Sequence, residues 1–245
     1  MSNLIRINNK LMTTNNKLYT ATAYVPPPPP PIPSDMDFIY LANDFDGTKI
    51  PNRAANSTFG DYIKYGTLTV NGSGANCYLS NGNSDGNYLQ NTLSSENATK
   101  IQGVNNAYTF FIRMMQDTST GIGGIMSTRS NGGYIYMLRC ENKQLQIHTS
   151  SGYNLGSDFS LAVDRVYKVV INGASFYAKN LDTDAEYNIT YSTSRSMGTN
   201  MRSFDAFNNY SECNLDRFYA FAGIARATTA EEDTQIKAAL MNESV

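Results

Sequence analysis

From Asp35 onward the sequence is a succession of short β-compatible runs, such as YIKYGTLTV at 62–70, each closed by turn-forming residues. The runs are rich in Tyr, Phe, Val and Ile, which favour strands, and they recur about every 8–15 residues. Asn71-Gly72 and Asn172-Gly173 are typical of tight hairpin turns. This spacing fits two packed sheets better than alternating strands and helices. We therefore predict an all-β, two-sheet antiparallel jelly-roll sandwich over residues 35–245.

The C terminus departs from this pattern, because residues 228–244 have the pattern of one short helix. Thr229 is a typical N-cap residue, and Glu232 three positions later completes a capping box. Acidic residues fill the first turn, where the helix dipole favours them. Ile236 and Leu240 lie on one apolar stripe that can pack on a sheet.

Two segments precede the predicted sandwich. Residues 1–25 contain a short repeat, NNKLMTT at 8–14 followed by NNKLYTA at 15–21, and each Asn-Asn pair suits a tight turn between short strands. We predict a three-stranded β anchor that docks on a partner, because three short strands bury little apolar surface by themselves. The proline-rich residues 26–34 are predicted to form a stiff polyproline II linker, with a ligand for a proline-binding domain as the alternative.

The composition excludes several classes of function. The net charge is −2 and the pI is near 5.4, so an acidic chain without a basic patch is not expected to bind nucleic acid. The N terminus has no apolar core of a signal peptide, and no run approaches the roughly 20 apolar residues of a membrane span. Cys77, Cys140 and Cys213 have neither disulfide nor zinc-site spacing, and we predict buried thiols.

The order of these elements resembles the laminin-G-like, concanavalin A-like family. The resemblance lies in LANDFDGTKIPNRAA (41–55), AYTFFIRMM (107–115) with the strands of 123–149 as paired central strands, the Asn-Gly hairpin of 166–180, and the closing strand and helix of 215–240. It implies a jelly-roll fold that is able to hold sugars. The chain departs from many sugar-binding members because it contains no Trp.

An N-terminal anchor, a proline spacer and a lectin-like head together resemble small phage structural proteins. This analogy implies a virion protein, a fibre or other appendage, assembled in the host cytoplasm as a homo-oligomer. Residues 1–25 would dock on other virion proteins, and the head would contact bacterial surface polysaccharide. The alternatives are a structural decoration protein without glycan binding and a polysaccharide-degrading enzyme. We predict that the chain is not an enzyme.

The enzyme alternative depends on a triplet of carboxylates, Asp182, Asp184 and Glu186. Alternate residues of a strand lie on one face, and glycosidases use paired carboxylates as nucleophile and general acid. Here the triplet follows Asn180 and interrupts a strand, so we predict a polar turn. His148 is the single histidine and allows no hydrolase triad.

A second loop has the oxygen spacing of a calcium loop. Asn81, Asn83 and Asp85 occupy alternate positions, and Gly86 follows where such loops turn sharply. Position 12 of the loop is Thr92, so the bidentate acid is missing. We predict a hairpin turn and no cofactor, with calcium as the alternative.

The remaining candidates for ligand binding are aromatic and amide side chains in neighbouring strands. Flat aromatic rings and planar hydrogen-bond donors are suited to hold sugars. We predict a glycan site formed by Arg129, Asn131, Tyr134, Tyr136 and Tyr153.

Overall fold

The structure is a computed structural model. The described residues are 5–7, 10–12, 18–20, 31–55, 57–82, 84, 86–118, 121–130, 133–148, 152–190, 198–204 and 215–242, and the description is of the backbone alone for 5–20, 128–137, 148 and 152–154. Two compact units are present, Met1–Pro30 and Pro31–Val245.

The first unit contains three short antiparallel strands in the order β1-β2-β3. They are β1 (Ile5–Ile7), β2 (Lys10–Met12) and β3 (Leu18–Thr20). Each strand has only three residues, so this small sheet has little capacity to bury apolar surface by itself.

The second unit contains two antiparallel sheets. Sheet I has the spatial order β17 (Glu186–Thr190), β16 (Ser175–Asn180), β15 (Tyr167–Asn172), β10 (Tyr108–Met115), β19 (Arg217–Ile224), β8 (Tyr78–Ser80) and β7 (Thr69–Asn71), and β4 (Phe38–Leu41) also pairs with β19. Sheet II has the order β14 (Gly152–Asn154), β13 (Gln144–His148), β12 (Gly133–Glu141), β11 (Ile122–Ser130), β18 (Asn200–Ser203), β9 (Tyr88–Thr92), β6 (Tyr62–Tyr65) and β5 (Lys49–Ile50).

The main core lies between the two sheets and is rich in aromatic rings. Phe38, Phe110 and Phe221 pack there with ring centres 5.1–6.5 Å apart. Aromatic side chains bury large apolar areas, so the charge-poor sequence obtains a sizeable core without any tryptophan. The predicted all-β sandwich with a C-terminal helix is confirmed.

Helix α2 (Ala230–Asn242) covers the outer face of sheet I. The predicted capping box is present, since Glu232 N donates to Thr229 Oγ1 at 3.2 Å and Thr229 N donates to a Glu232 oxygen at 2.9 Å. Arg226 also holds Glu232 through two hydrogen bonds of 2.6 and 2.8 Å, and it donates two more to Asp35 at 2.7 and 3.0 Å. One guanidinium therefore ties the helix start to the beginning of the sandwich.

Three features differ from the sequence-based expectations. A second helix, α1 (Ser95–Lys100), follows the N-cap Ser94 and was not predicted, because it is too short to show an apolar period.

The second difference is that the run at 62–70 is not one strand. The chain passes from sheet II to sheet I at Gly66, where φ is +66°. A side chain at Gly66 would meet the Gly86 carbonyl at 2.3 Å, so glycine permits the crossing.

The third difference concerns the central strands. We expected 107–115 to pair with the strands of 123–149, but β10 belongs to sheet I and β11, β12 and β13 belong to sheet II. The chain crosses between the sheets after Met115, and β10 pairs instead with β15 and β19. Hydrophobic periodicity identifies strands but does not assign them to a sheet.

Candidate functional site

The predicted sugar-binding residues lie mostly in sheet II. Arg129 and Tyr134 are direct register partners on β11 and β12, and Tyr136 is the partner of Ser127. Tyr153 lies on β14 opposite Ile147 of β13. The side chains of these four predicted residues, and Asn131 as a whole, lie outside the described part of the structure. The register thus brings Arg129, Tyr134 and Tyr136 to adjacent positions, and the predicted site itself stays a prediction.

The register continues from these strands to residues that sequence reasoning missed. One row crosses five strands of sheet II and consists of Tyr136, Ser127, Arg202, Gln90 and Ile63. Register partners on neighbouring strands are close enough for their side chains to interact. The row therefore leads from the predicted residues to an aromatic and polar cluster on β18, β9 and β6.

The centre of this cluster is a stack of three planar side chains, Tyr65, Tyr88 and Arg202. The ring centres of Tyr65 and Tyr88 lie 4.8 Å apart at an interplanar angle of 13°. The guanidinium carbon of Arg202 lies 4.1 Å from the Tyr88 ring centre. Tyr65 is 41% exposed, whereas Arg202 is 6% exposed. The stack thus presents its aromatic end to solvent and has a cation at its buried end.

Polar groups surround the stack on the same strands. Arg202 Nε donates to Gln90 Oε1 at 2.7 Å, which fixes the plane of the guanidinium. Gln90 Nε2 lies 3.4 Å from both Thr92 Oγ1 and Asn200 Oδ1. Exposed aromatic area beside amides and a hydroxyl is the combination that binds sugars, because the C–H face of a sugar packs on the ring while its hydroxyls bond to the polar groups.

Buried hydrogen bonds on the inner face hold the same three strands in place. Tyr62 Oη of β6 lies 3.0 Å from Ser203 Oγ of β18, and Ser203 Oγ donates to Ile125 O at 2.6 Å. Asn91 of β9 donates to Tyr40 Oη at 2.5 Å. Burial raises the pKa of the Tyr40 phenol, so the phenol stays neutral and keeps its proton for hydrogen bonding. The exposed stack therefore sits on strands with satisfied polar contacts beneath them.

Asp182 and Asp184 lie in the turn between β16 and β17, as predicted, whereas Glu186 is the first residue of β17. Asp182 accepts from Val166 N at 3.0 Å and pairs with Lys237 at 2.8 Å. Asp184 has a φ of +59° and pairs with Lys179 at 3.0 Å.

The predicted hairpin at 81–87 is only partly described, since Asn83 and Asp85 lie outside the described residues. Asn81 is buried, and its carbonyl accepts from Asn87 Nδ2 at 2.9 Å. Within the described residues, no three His, Cys, Asp or Glu side chains cluster as a metal site would require. The calcium alternative therefore stays untested.

Two of the concave regions in the described part of the structure lie away from the stack. The larger has a volume of about 630 Å³ and is lined mainly by apolar side chains such as Ile32, Met36 and Ile39; its Arg53 is bound by Asp44. The smaller has a volume of about 470 Å³ and lies beside α1. Neither combines an exposed aromatic ring with polar groups.

Two further expectations concern the cysteines and the membrane. Cys77 and Cys140 are buried as predicted, and Cys213 lies outside the described residues. No helix of the described residues is long and apolar enough to cross a membrane.

No protein-family model and no curated protein sequence matches the chain. Solved structures do match it. Domain 4 of AbnA, a GH43 extracellular arabinanase from Geobacillus stearothermophilus in complex with arabinotriose, aligns with a TM-score of 0.56 and 9% identity, over 83% of this chain and 98% of that domain. The receptor binding domain of botulinum neurotoxin C/D mosaic serotype aligns with a TM-score of 0.57 and 10% identity, over 83% of this chain and 51% of that one.

Trypanosoma rangeli sialidase aligns with a TM-score of 0.59 and 8% identity, over 89% of this chain. The chain spans 34% of the length of that sialidase. Our prediction that the chain is not an enzyme is contradicted by this likeness, because part of an enzyme, a sialidase, shares this architecture. At these identities the likeness shows the fold: a β-sandwich found in glycosidases, in a domain solved with an oligosaccharide and in a receptor-binding domain.

Proposed function

We propose that the β-sandwich binds carbohydrate, and that the exposed stack of Tyr65, Tyr88 and Arg202 is the platform for the sugar ring. The observation that carries this proposal is the 41% exposed Tyr65 ring, which is held parallel to Tyr88 and backed by an oriented guanidinium. An arabinanase domain of this fold, solved with arabinotriose, supports the same class of ligand.

We propose further that the ligand is bacterial surface polysaccharide and that the protein is a phage virion appendage with a laminin-G-like head. The order of a short β anchor, a polyproline stretch and a sandwich supports this assignment. Residues 1–25 dock on other virion proteins, and assembly takes place in the host cytoplasm as a homo-oligomer. Weak sugar sites gain useful avidity when several copies act together. The alternative is a structural decoration protein that does not bind glycan.

The test uses the full chain, coupled to beads at high density, with intact bacteria and extracted capsular polysaccharide as ligands. We expect saturable binding that free polysaccharide competes away. Tyr65→Ala should weaken binding about tenfold or more, because it removes the exposed ring from the platform. Tyr65→Phe keeps the ring and should retain binding.

The matched control is Tyr78→Ala. Tyr78 is half-buried and lies against an arginine, as Tyr88 does, with the guanidinium carbon of Arg217 4.8 Å from its ring centre, but it lies on β8 of sheet I. This variant should bind like the parent protein. If Tyr78→Ala abolishes binding and Tyr65→Ala does not, the platform is wrongly placed. If the folded parent protein binds no glycan, carbohydrate binding is rejected and the structural decoration role replaces it.

Glycoside hydrolysis is a second candidate function, and the likeness to sialidase favours testing it. The same incubations are assayed for released reducing ends and for free sialic acid. The residues to examine first are Asp182, Asp184 and Glu186. Loss of turnover in Asp184→Ala, with binding retained, would assign catalysis to this turn; unchanged turnover would remove the turn from consideration.

A further inference from the structure

The free edges of the two sheets are unequal in length. Among the described strands the edges are β7, β14 and β5, with three, three and two residues, β4, with four, and β17, with five. The outer edge of β4 already bonds to the following loop, since Ile39 N donates to Asn52 Oδ1 at 3.0 Å and Arg53 N donates to Ile39 O at 3.1 Å. Short edge strands offer little surface for pairing, and natural sheets protect longer ones with lysine, proline or bulges. The sequence of β17, EYNIT, contains neither lysine nor proline, and its pairing with β16 shows no bulge.

The register of β17 shows which backbone groups face its open edge. Asn180 N donates to Ala185 O at 2.9 Å, so the backbone of Ala185 faces β16. Backbone direction alternates along an antiparallel strand. Tyr187 and Ile189 therefore also direct their N–H and C=O groups to β16, whereas Glu186, Asn188 and Thr190 direct theirs outward.

The side chains of β17 alternate in the same way. Tyr187 and Ile189 pack against the main core, and Glu186, Asn188 and Thr190 are exposed. The single charge of the strand, Glu186, lies 3.6 Å from Lys179, which also pairs with Asp184 at 3.0 Å and so neutralises Glu186 only in part. The exposed side of this edge is polar, and its one charge lies at the first residue of the strand, so the edge lacks the row of charges that usually keeps edges apart.

We propose that β17 pairs antiparallel with β17 of a second copy of the chain, with the twofold axis at Asn188. This register places Asn188 opposite its own counterpart and Glu186 opposite Thr190 of the second copy. No like charges then face each other, which is a requirement for stable cross-strand pairs. The three outward-facing residues of each copy would exchange up to about six backbone hydrogen bonds.

The pairing goes beyond carbohydrate binding and does not depend on it. It would extend sheet I continuously through two copies, in an isologous interface of the kind that closes a dimer. Each pair of copies would then carry two stacks of Tyr65, Tyr88 and Arg202.

The test is a charge exchange at the twofold axis, measured on the full chain by sedimentation velocity and by light scattering after gel filtration. Asn188→Lys and Asn188→Glu each place like charges opposite each other, so each variant alone should have half the mass of the parent assembly. An equal mixture of the two variants places opposite charges together and should restore the parent mass. Recovery in the mixture also shows that each variant is folded.

The control is Thr69→Lys, which adds the same charge at an exposed position on β7, the opposite edge of sheet I. Its mass should equal that of the parent. The proposal is overturned if the parent assembly contains no pairs, if the Asn188 variants keep the parent mass, or if their mixture does not recover it. Unchanged mass in the Asn188 variants would place any self-association at another surface.

Discussion

Arg113 and Asp164 form a bidentate ion pair, with Nε–Oδ1 and Nη2–Oδ2 distances of 2.9 and 2.7 Å. Arg113 is 1% exposed, and its guanidinium also donates to Leu240 O of α2 and to Ala75 O between β7 and β8. The Tyr219 ring lies 4.5 Å from the guanidinium carbon. This one side chain therefore joins β10, the outer helix and a loop of sheet I.

Arg113→Leu should destabilise the protein by about 3 kcal/mol, because it leaves a carboxylate and two carbonyls without their donor. The measurement is urea unfolding followed by circular dichroism. Lys49→Gln is the control, since it breaks the Lys49–Asp61 pair, whose side chains are 42% and 32% exposed. That change should cost much less than Arg113→Leu, because solvent screens an exposed ion pair. Equal losses in the two variants would contradict the role given to Arg113.

Gly103→Ala should cost about 2–4 kcal/mol, because Gly103 combines a φ of +62° with close packing. A Cβ there would lie 2.4 Å from the Ile171 carbonyl oxygen. Gly74→Ala is the matched control, with a φ of +53° and open space around the added carbon, and it should cost about 1 kcal/mol. Thermal unfolding of both variants measures the difference, and similar losses would argue against steric conflict at Gly103.

The stabilisation that Glu232 gives the folded protein should be lost in acid. The Arg226 guanidinium and the Thr229 N–H lower the pKa of this carboxyl from 4.5 to about 2. A lowered folded-state pKa stabilises above the unfolded value, so this contribution is complete above pH 4.5 and is lost as the pH falls towards 2.

Glu232→Gln should therefore be less stable than the parent at neutral pH, and the difference should shrink between pH 4.5 and 2. Unfolding midpoints across this range provide the measurement. Asp46, whose pKa is also lowered to about 2, titrates in both proteins and cancels in the comparison. A difference that is constant with pH would show that Glu232 acts without its charge.

Gln90→Ala should weaken polysaccharide binding about tenfold, because it removes the acceptor that orients Arg202 behind Tyr88. Gln90 is thus a positioning residue, because it acts on the ligand through Arg202. Gln90→Glu retains an acceptor for Arg202 Nε and should restore affinity. If both variants bind like the parent, the orientation of Arg202 does not matter for binding.

Local features were predictable from the sequence because local contacts create them. The capping box of Thr229 and Glu232 is a short-range hydrogen-bond pattern, and the Asn172-Gly173 turn joins β15 to β16 with Gly173 at a φ of +58°. Asp182 and Asp184 also lie in a turn, as their position after Asn180 indicated, whereas Glu186 begins β17.

The Tyr65–Tyr88–Arg202 stack was missed because its members lie on three strands that are distant in sequence and become neighbours only through the register of sheet II. No local pattern marks such a set. Ile63 and Tyr65 alternate with the buried Tyr62 and the half-buried Lys64, which indicates a two-faced strand but not its neighbours.

The bonds of Arg226 to both Asp35 and Glu232 have a mechanical consequence. A pull transmitted along the chain from residues 1–30 reaches Asp35 first, and Arg226 passes it to Glu232 and so to α2. Only then does tension reach β4, which is paired with β19 through Leu41, Tyr40, Ile39 and Phe38. Tension along β4 would load these backbone bonds together, in shear, and not one after another. The sandwich is thus joined to the residues that precede it through a strand of sheet I that is paired along its whole length with β19.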